Sequence, residues 1–347
     1  MNLDGDYLGI IEINGAGPGL EGYEAGGQIL RLALALSPIL KKPFRLYNIR
    51  SGRPKPGLQP QHLAGVKAVA DITGAEVEGA YAGSQEVTVI PSNITGGAYA
   101  FDTGTAGSVT LLAQSLLPLL LFANKESRLR LIGGTHVSWS PTADYYQNVF
   151  LPLVRKFGAD VEFSLNRYGW YPKGGGEIEL RIKPSKLNAV ELLSRGNLKS
   201  IEGCNILSNI KGDVLEREEE GVLEALPNAQ ISKKSVPARS AGTAVTLWAA
   251  YENTILGAEA LGKIGKRAED VGREAANRLS EEMHLNSAVD EHMSDQLLVL
   301  MALAKGKSSI SVPTLTSHAK TCAWLIPIFT NIPFDITDNV ISVKGIG

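Results

Sequence analysis

The sequence predicts a mixed α/β (α+β) fold: a large domain of repeated βα units, each with two helices and a sheet, plus a small inserted α/β domain. Two internal echoes and one change of character predict it. ADITGAEVEG, around Gly74, returns as VRKFGADVEF around Gly158, 84 residues later. EAGGQILRLALALSPIL (24–40) returns as GTAGSVTLLAQSLLPLL (104–120), each time a small-residue loop that opens an apolar helix. Between about 184 and 283 these patterns give way to charged helices. The expected organisation is a discontinuous repeated-unit domain, 1–183 and 284–347, with the insert at 184–283.

The elements follow in order. LALALSPIL reads as a helix of roughly 10–12 residues starting near Gly27, which places Arg31 in its first turn. VTLLAQSLLPLL is the matching helix of the second unit. YPKGGGEIEL (171–180) is a glycine-rich turn between strands with Lys173 exposed. It is not a Walker-type phosphate loop, because the lysine precedes the glycines and no Ser or Thr follows. In the insert, EREEEGVLEAL reads as a solvated amphipathic helix and GKRAEDVGREAANRLSEEM (265–283) as another charged-face helix. NAQISKKSV and AVTLWAAYENTILGAEAL read as strands. A third, less regular copy closes the chain: a helix in 290–306, the strand KSSISVP, a helix at 317–329 and the hairpin FDITDNVISVKG. This order matches the second part of the earlier units.

With 347 residues and 44% apolar content, the chain is long enough for two domains or one large domain with an insert. The net charge of −2 and pI of about 6.3 exclude a globally basic protein that coats nucleic acid. A nucleic-acid partner would be touched locally through few phosphates, as when a chain end is read rather than a duplex coated. Cys204 and Cys322 offer neither a disulfide framework nor zinc spacing, and are expected as buried thiols in a reducing compartment. The N-terminus carries Asp4, Asp6 and Glu12 without a basic n-region. The longest apolar stretch, SLLPLLLFA (115–123), is too short to cross a bilayer. A soluble cytoplasmic protein with no membrane partner is expected.

The chemistry concentrates between Glu24 and His62. EAGGQILR and IRSGRPKPGLQPQHL hold Glu24, Arg31, Arg50, Arg53, Lys55 and the pair Gln61-His62, spaced by Gly26, Gly27, Gly52 and Gly57. Guanidinium forks bind phosphate oxygens bidentately. Glycines let backbone N–H groups approach an anion unobstructed. The pattern suits a phosphorylated ligand, and the plainer alternative is a surface hairpin with charged flanks. A cation early in a helix opposes the dipole, and a bound anion reverses that sign. Glu24, just before the helix, is placed to cap N–H groups or to hold a metal ion.

Other polar groups are sparser. His318 lies in TLTSHAKTCAWLIP, near the capped start of an apolar helix, where the dipole lowers an imidazole's pKa and keeps it neutral. A capping or packing role is the alternative. His292, Asp295 and Gln296 stand three and four residues apart, one face of a helix. Asp with Gln suits ribose hydroxyls or a base edge, against the alternative of an exposed polar face. Gln114 sits inside an apolar helix, as a satisfied core amide or a ligand contact. GTAGS (104–108) before it suits an anion nest or a tight helix start. His136 and His284 have no evident partners and read as structural.

Together these motifs resemble the RNA 3′-terminal phosphate cyclase family. EAGGQILR, IRSGRPKPGLQPQHL, GTAGSVTLLAQSLLP, GGTHVSWSPTADYY, YGWYPKGGGE, SAGTAVTLWA, GKRAEDVG, EHMSDQLLVLMALA and LTSHAKT occur in the family's order across almost the whole chain. The resemblance implies an enzyme that uses ATP and a divalent metal, Mg or Mn, to turn RNA 3′-phosphate ends into 2′,3′-cyclic phosphates through a histidine–AMP adduct. By matching, His318 is the implied nucleophile. Gln114 and the stretch His292, Met293, Ser294, Asp295 and Gln296 are the implied adenylate pocket. Glu24 is the implied metal carboxylate. Arg31, Arg50, Arg53, Gln61 and His62 are the implied contacts to phosphate and RNA end. The family fold, a large domain of repeated α/β units with a small insert, agrees with the echoes.

This chain has Ala25-Gly26-Gly27 where the family usually has a glycine triplet, and Glu21 competes with Glu24 for the carboxylate alignment; the distance to QILR favours Glu24. Two rivals stay open: a non-catalytic cyclase-like RNA-binding factor in ribosome assembly, which would lack the nucleophilic histidine, and an enolpyruvyl-transferase-like enzyme, which would form no AMP adduct. The oligomeric state is left open, a homodimer included.

Overall fold

The structure, a computed structural model, describes residues 9–24 and 26–347; the acidic positions Asp4 and Asp6 lie outside the described residues. The first unit runs β1 (Ile11–Asn14), α1 (Gly27–Leu40), β2 (Phe44–Tyr47), α2 (Pro60–Thr73), β3 (Glu76–Glu78) and β4 (Val87–Ile90). Its sheet is ordered β1-β2-β4-β3, with only the β1–β2 pair parallel. The second unit repeats the plan with β5 (Ala98–Asp102), α3 (Val109–Leu121), β6 (Ser127–Gly133), α4 (Ala143–Tyr145), a π turn (Tyr146–Phe150), α5 (Leu151–Lys156), β7 (Asp160–Arg167) and β8 (Gly176–Lys183). Its order is β5-β6-β8-β7, again with only the first pair parallel.

The third copy is more complete than its sequence suggests. It begins with β9 (Glu191–Leu192), a two-residue strand too short to carry a periodicity signal. The chain then departs into β10 (Leu198–Ser208), α6 (Val214–Ala225), β11 (Gln230–Ser235), β12 (Gly242–Tyr251), β13 (Ile255–Leu261) and α7 (Ala268–His284). It returns through α8 (Met293–Gln296), α9 (Leu298–Leu303), β14 (Lys305–Ser311), α10 (Ser317–Thr330), β15 (Asp335–Thr337) and β16 (Val340–Ile346). The third sheet reads β9-β14-β16-β15, and β9 pairs parallel with β14. The excursion therefore interrupts the third unit after its first strand. Leu187, Val190 and Leu192, which fall inside the expected 184–283 boundary, pack into the large core instead. The single helix expected over 290–306 is two, α8 and α9, and Lys305 already belongs to β14.

Local chemistry explains the helix boundaries. Gln59 and His62 form a reciprocal capping box at α2, Pro60 takes its first position, and Gly74 closes it at φ 64°. Ser108 Oγ accepts from Leu111 N at the start of α3, and Thr316 Oγ1 accepts from Ala319 N at the start of α10. The turn between β15 and β16 puts Asp338 and Asn339 at φ 50° and 61°, as a tight hairpin requires. Helices of the three units bury Ile29, Leu34, Val69, Leu116, Leu298 and Leu325 in one shared core. Among the described residues, no helix is long and apolar enough to cross a membrane.

The excursion has its own four-stranded sheet, β11-β10-β12-β13, and its own core around Val222, Leu247, Val271 and Leu279. It docks on the second unit through Thr142 N–H to Glu259 Oε2 at 2.9 Å and Trp170 Nε1–H to Ser208 Oγ at 2.9 Å. Helix α6 is not solvated on all its charged positions. Glu218 is fully buried and accepts the Thr243 hydroxyl at 2.7 Å, and burial pushes its carboxyl up to about 7. Helices α6 and α7 touch backbone to backbone: a Cβ on Gly221 would stand 2.1 Å from Glu269 O, and one on Gly272 1.8 Å from Glu218 O. Gly221→Ala or Gly272→Ala should therefore destabilise the insert by about 1–3 kcal/mol. Denaturant titration checks this, and a wild-type midpoint in both variants would refute the close packing.

Candidate active site

The start of α1 is a helix N-terminus left open. Its cap, Gly26, offers no side chain, and the first turn contains no acidic residue. The first N–H groups and the positive end of the dipole therefore have no side-chain acceptor at the cap. Arg31 is the fifth residue of α1, one turn later than the sequence reading put it. Helical side chains lean toward the N-terminus, and its Nη1 comes within 3.1 Å of the position a Gly27 Cβ would take. His62 Nε2 lies 2.4 Å from that same position, so only glycine fits at 27.

Arg31 is partly buried, yet it makes no hydrogen bond or ion pair among the described residues. Desolvation lowers its pKa, opposed by the charge of Asp295. A desolvated guanidinium without an acceptor marks a place for an anion. His62 stands beside it. The Gln59 N–H donates to His62 Nδ1 at 3.2 Å, which leaves the ring proton on Nε2. Burial, then the charges of Arg31 and Arg50, depress His62 to about 3. It is a neutral donor aimed at the same spot.

The rest of the arginine loop is arranged around this point. Arg50, held at φ 53°, donates to Lys55 O at 2.5 Å and Gly57 O at 3.4 Å, which folds the loop back on itself. Arg53 pairs with the Glu24 carboxylate. Glu24 N–H donates to Thr321 Oγ1 at 2.9 Å, tying the segment before α1 to α10. Gln61 Oε1 accepts from Ser108 N–H at 3.1 Å. Glu24 caps no helix here, and no group of three or more His, Cys, Asp or Glu able to hold a metal ion occurs among the described residues.

His318 joins the site from α10. Its ring is exposed, but Nδ1 is held 2.7 Å from Gln28 Oε1. The Gln28 amide nitrogen donates to Asp295 Oδ2 at 2.8 Å, with Cys322 Sγ at 3.0 Å and His318 O at 3.4 Å as further acceptors. Three acceptors on one side fix the amide's orientation, so its oxygen faces His318. Nδ1 must then carry the proton, and Nε2 keeps a free lone pair. Partial burial and the charges of Arg31, His292 and Arg53 lower the His318 pKa. Burial raises Asp295 to about 7, tempered by His292 and Arg31.

Gln114 Nε2 donates to Gln296 Oε1 at 2.6 Å, so α3 and α8 meet at the site. Two pockets adjoin with Arg31 in the wall of both. One, of about 300 Å³, is lined by Leu30, Arg31, Gln61, His62 and Ser108. The other, of about 520 Å³, is lined by Gln28, Arg31, Gln114, Asp295 and Gln296. His292 leaves the helical face expected of it with Asp295 and Gln296, and Met293 and Ser294 do not line the pocket that the resemblance implied for them. His292 is the residue before α8, exposed, with its ring edge-on to Tyr145 at 6.1 Å. Met293 is fully buried in the core. Ser294 is buried and returns its hydroxyl to Glu291 O at 2.5 Å. Met293 and Ser294 turn inward because α8 buries that face, so neither side chain reaches the pocket.

Gln28 escapes the sequence reading, and Cys322 figures there only as a buried thiol, which it is. A glutamine three residues before Arg31, at the mouth of an apolar helix, is the signal that could have found the first. Cys322 lies one turn after His318 on α10. His136 and His284, expected to lack partners, have them: His136 Nδ1 meets Thr135 Oγ1 at 2.9 Å, His284 Nδ1 meets Ser280 O at 2.6 Å, and His136 Nε2 lies 2.7 Å from Asp144 Oδ2, in a buried pair eight residues apart across the Pro141 turn. No helical or strand periodicity links those two positions. Lys173 is exposed, as expected.

Comparison with known proteins places most of the chain in one family. The family model described as RNA 3′-terminal phosphate cyclase matches residues 23–336. A protein of Sulfurisphaera tokodaii named RNA 3′-terminal phosphate cyclase is 43% identical, over 90% of this chain and 94% of its own. A protein of that name from Staphylothermus marinus is 42% identical, over 97% of this chain and 99% of its own. Among solved structures, an EPSP synthase from Acinetobacter baumannii aligns over 98% of this chain and 83% of its own at 13% identity, with a TM-score of 0.30, too weak a likeness to carry a conclusion.

The depressed His62 makes acid costly. Its folded pKa of about 3 lies below the ordinary 6.5, so the unfolded chain binds the proton first. The stability it confers is complete above about pH 6.5 and drains as pH falls toward 3, by about 2 kcal/mol between pH 7 and 5. His62→Gln should remove that share. Denaturant midpoints of both proteins at pH 7 and 5 check it, and identical pH dependence would contradict the assignment.

Proposed function

The chain belongs to the RNA 3′-terminal phosphate cyclase family, and from that membership we propose that it converts RNA 3′-phosphate ends into 2′,3′-cyclic phosphates at the expense of ATP, with AMP carried on His318. The observation that carries this reading is the chain of hydrogen bonds from Asp295 through the Gln28 amide to His318 Nδ1. It leaves a neutral imidazole with Nε2 free and turned to the exposed side. That is the protonation state a nitrogen nucleophile needs.

In the first step Nε2 attacks the α-phosphorus of ATP. A P–N bond forms as the P–O bond to pyrophosphate breaks, and Gln28 accepts from the cationic ring's Nδ1–H. In the second, an oxygen of the RNA 3′-phosphate attacks the same phosphorus and His318 leaves neutral. In the third, the vicinal 2′-hydroxyl attacks the activated 3′-phosphorus, its proton passes to solvent, and AMP departs with the electron pair. Each step is a displacement at phosphorus, where positioning and charge neutralisation dominate the barrier.

Residues divide by pocket. Gln114, Asp295 and Gln296 line the larger one, which suits the nucleoside of ATP. Arg31, Gln61 and His62 line the smaller one, which suits the RNA 3′-phosphate. Arg31 borders both, so one guanidinium can meet the two phosphates that react. Arg50 and Arg53 add charge from the loop. A divalent ion fits only in part. Glu24 is a single carboxylate already paired with Arg53, which suits an ion held mainly by substrate phosphates rather than a protein cage. When bound, such an ion neutralises phosphate charge.

Incubation with ATP labelled at the α-phosphate and Mg or Mn tests the reading. The wild type should acquire acid-labile label and His318→Ala none; an unlabelled wild type would favour the non-catalytic RNA-binding reading. Gln28→Ala should slow labelling about 10- to 100-fold, in the range of a lost positioning partner, and lower the pH at which labelling becomes half-maximal, because the amide oxygen favours the protonated ring. A wild-type rate and profile would remove Gln28 from the mechanism. Arg50→Ala should weaken use of RNA ends more than ATP loading, and equal loss in both would contradict the division of pockets.

A further inference from the structure

We propose that the single strand of RNA leading up to the reactive end lies in a track from Gln61 across the joint with the insert to Arg239 and Lys173; this rests on the reading of the smaller pocket as the 3′-phosphate site. Four loop segments that the proposed chemistry does not use converge there: 104–108, 135–141, 168–176 and 236–241. The first starts at the pocket wall, where Ser108 N–H donates to Gln61. Gly174 presses on it: a Cβ would stand 2.6 Å from Thr105 O and 2.9 Å from Ala106 Cα. The next glycine carries the insert, since a Cβ on Gly175 would meet Arg239 Cδ at 2.5 Å. Lys173 N–H donates to Ser240 Oγ at 3.2 Å, and Asn209 Nδ2 holds the same insert loop through Ala238 O at 2.7 Å. Contact is continuous from the pocket to the insert.

The side chains along this path suit a single strand. Arg239 and Lys173 are exposed and have no carboxylate partner among the described residues. Arg217, Lys233, Lys266, Arg267, Arg273 and Arg278 of the insert are each engaged by a carboxylate, whereas Lys199, Lys211, Lys234 and Lys263, like Arg239, form no ion pair among the described residues; Arg239 is the one that packs on the glycine turn. Beside the free cations stand two aromatic rings that a folded protein rarely leaves in water. Tyr171 is 77% exposed, and Trp139 is 98% exposed on a backbone held at φ 67°. Their segments lie side by side through the pairing of His136 with Trp170. Cations for the backbone and ring faces for bases are the means by which proteins hold single strands without reading sequence. A chain of net charge −2 needs such a local device, since it has no global attraction for RNA.

The test compares the wild type with the double variant Lys173→Ala/Arg239→Ala on two substrates, a ten-nucleotide RNA and a dinucleotide, both ending in 3′-phosphate. For the long substrate KM should rise roughly tenfold at 0.1 M salt, and the slope of log KM against log salt should fall by about 1.4, the share of two phosphate contacts on a single strand. The dinucleotide should show neither change. If the wild type cyclises neither substrate, the reading of the active site is wrong. If it cyclises both and the double variant matches it in KM and slope, the track is wrong. An equal rise in KM for both lengths also overturns the track, because an upstream contact cannot act on a dinucleotide. Tyr171→Ala should raise KM for the long substrate without altering the salt slope, which separates stacking from charge.

Discussion

A hydrogen bond between an amide oxygen and an imidazole holds this site together. Gln28 stands in the first turn of α1 and His318 in the first turn of α10, and 290 residues separate them. The amide has no choice of orientation, because Asp295, Cys322 and the His318 carbonyl all present acceptors to its nitrogen. The tautomer of His318 follows, and with it the availability of Nε2. A carboxylate bonded directly to the ring would favour the imidazolium. An amide placed between the two passes orientation while diluting charge. Arg31 and His292 act in the same direction by lowering the ring's pKa.

The fold makes that bond possible by repetition. Each unit follows the same βαβαββ course, and the first helices of the three units, with α10, surround one core. Gln28 comes from the first helix of the first unit, Gln114 from that of the second, and Asp295 and Gln296 from that of the third. His318 and His62 both open second helices, in the third and first units. A helix start is where free N–H groups and the dipole favour anions. Bringing several together creates a surface suited to phosphate without a net positive chain. The uncapped start of α1, the unpartnered Arg31 and the neutral His62 are three expressions of that one design.

The insert enters the third unit between its first strand and first helix, so it leaves the shared core undisturbed. It also reaches the rim of the site, where the glycines of 174–175 let two backbones and an arginine stem pack in contact. Buried polar pairs seat it there. His136 with Asp144, and Thr142 with Glu259, lie at or beside the joint. Such groups tolerate little displacement, because a buried partner left alone is costly. The insert is thus held in a defined position relative to the pocket.

Much of the architecture was legible in the sequence because it is written in local patterns. The repeat at Gly74 and Gly158, the apolar helices and the capping signal before α10 each depend on neighbours a few positions away. The arginine-bearing loop and His318 were legible for the same reason, as residue types whose chemistry is unusual where they stand. Other features were not, because they depend on which distant surfaces meet. Gln28 looks like any polar residue at a helix start until α10 is laid against α1. Met293 and Ser294 belong to the same motif as Asp295, and only packing decides that they turn inward. The strand at 191–192 carries no periodicity and is defined solely by its partner β14. Residue type and spacing thus determined the repeated fold and which polar side chains gather at its two pockets. Tertiary contact alone decided which nitrogen of His318 is free, because a proton's position is set by the group across the hydrogen bond.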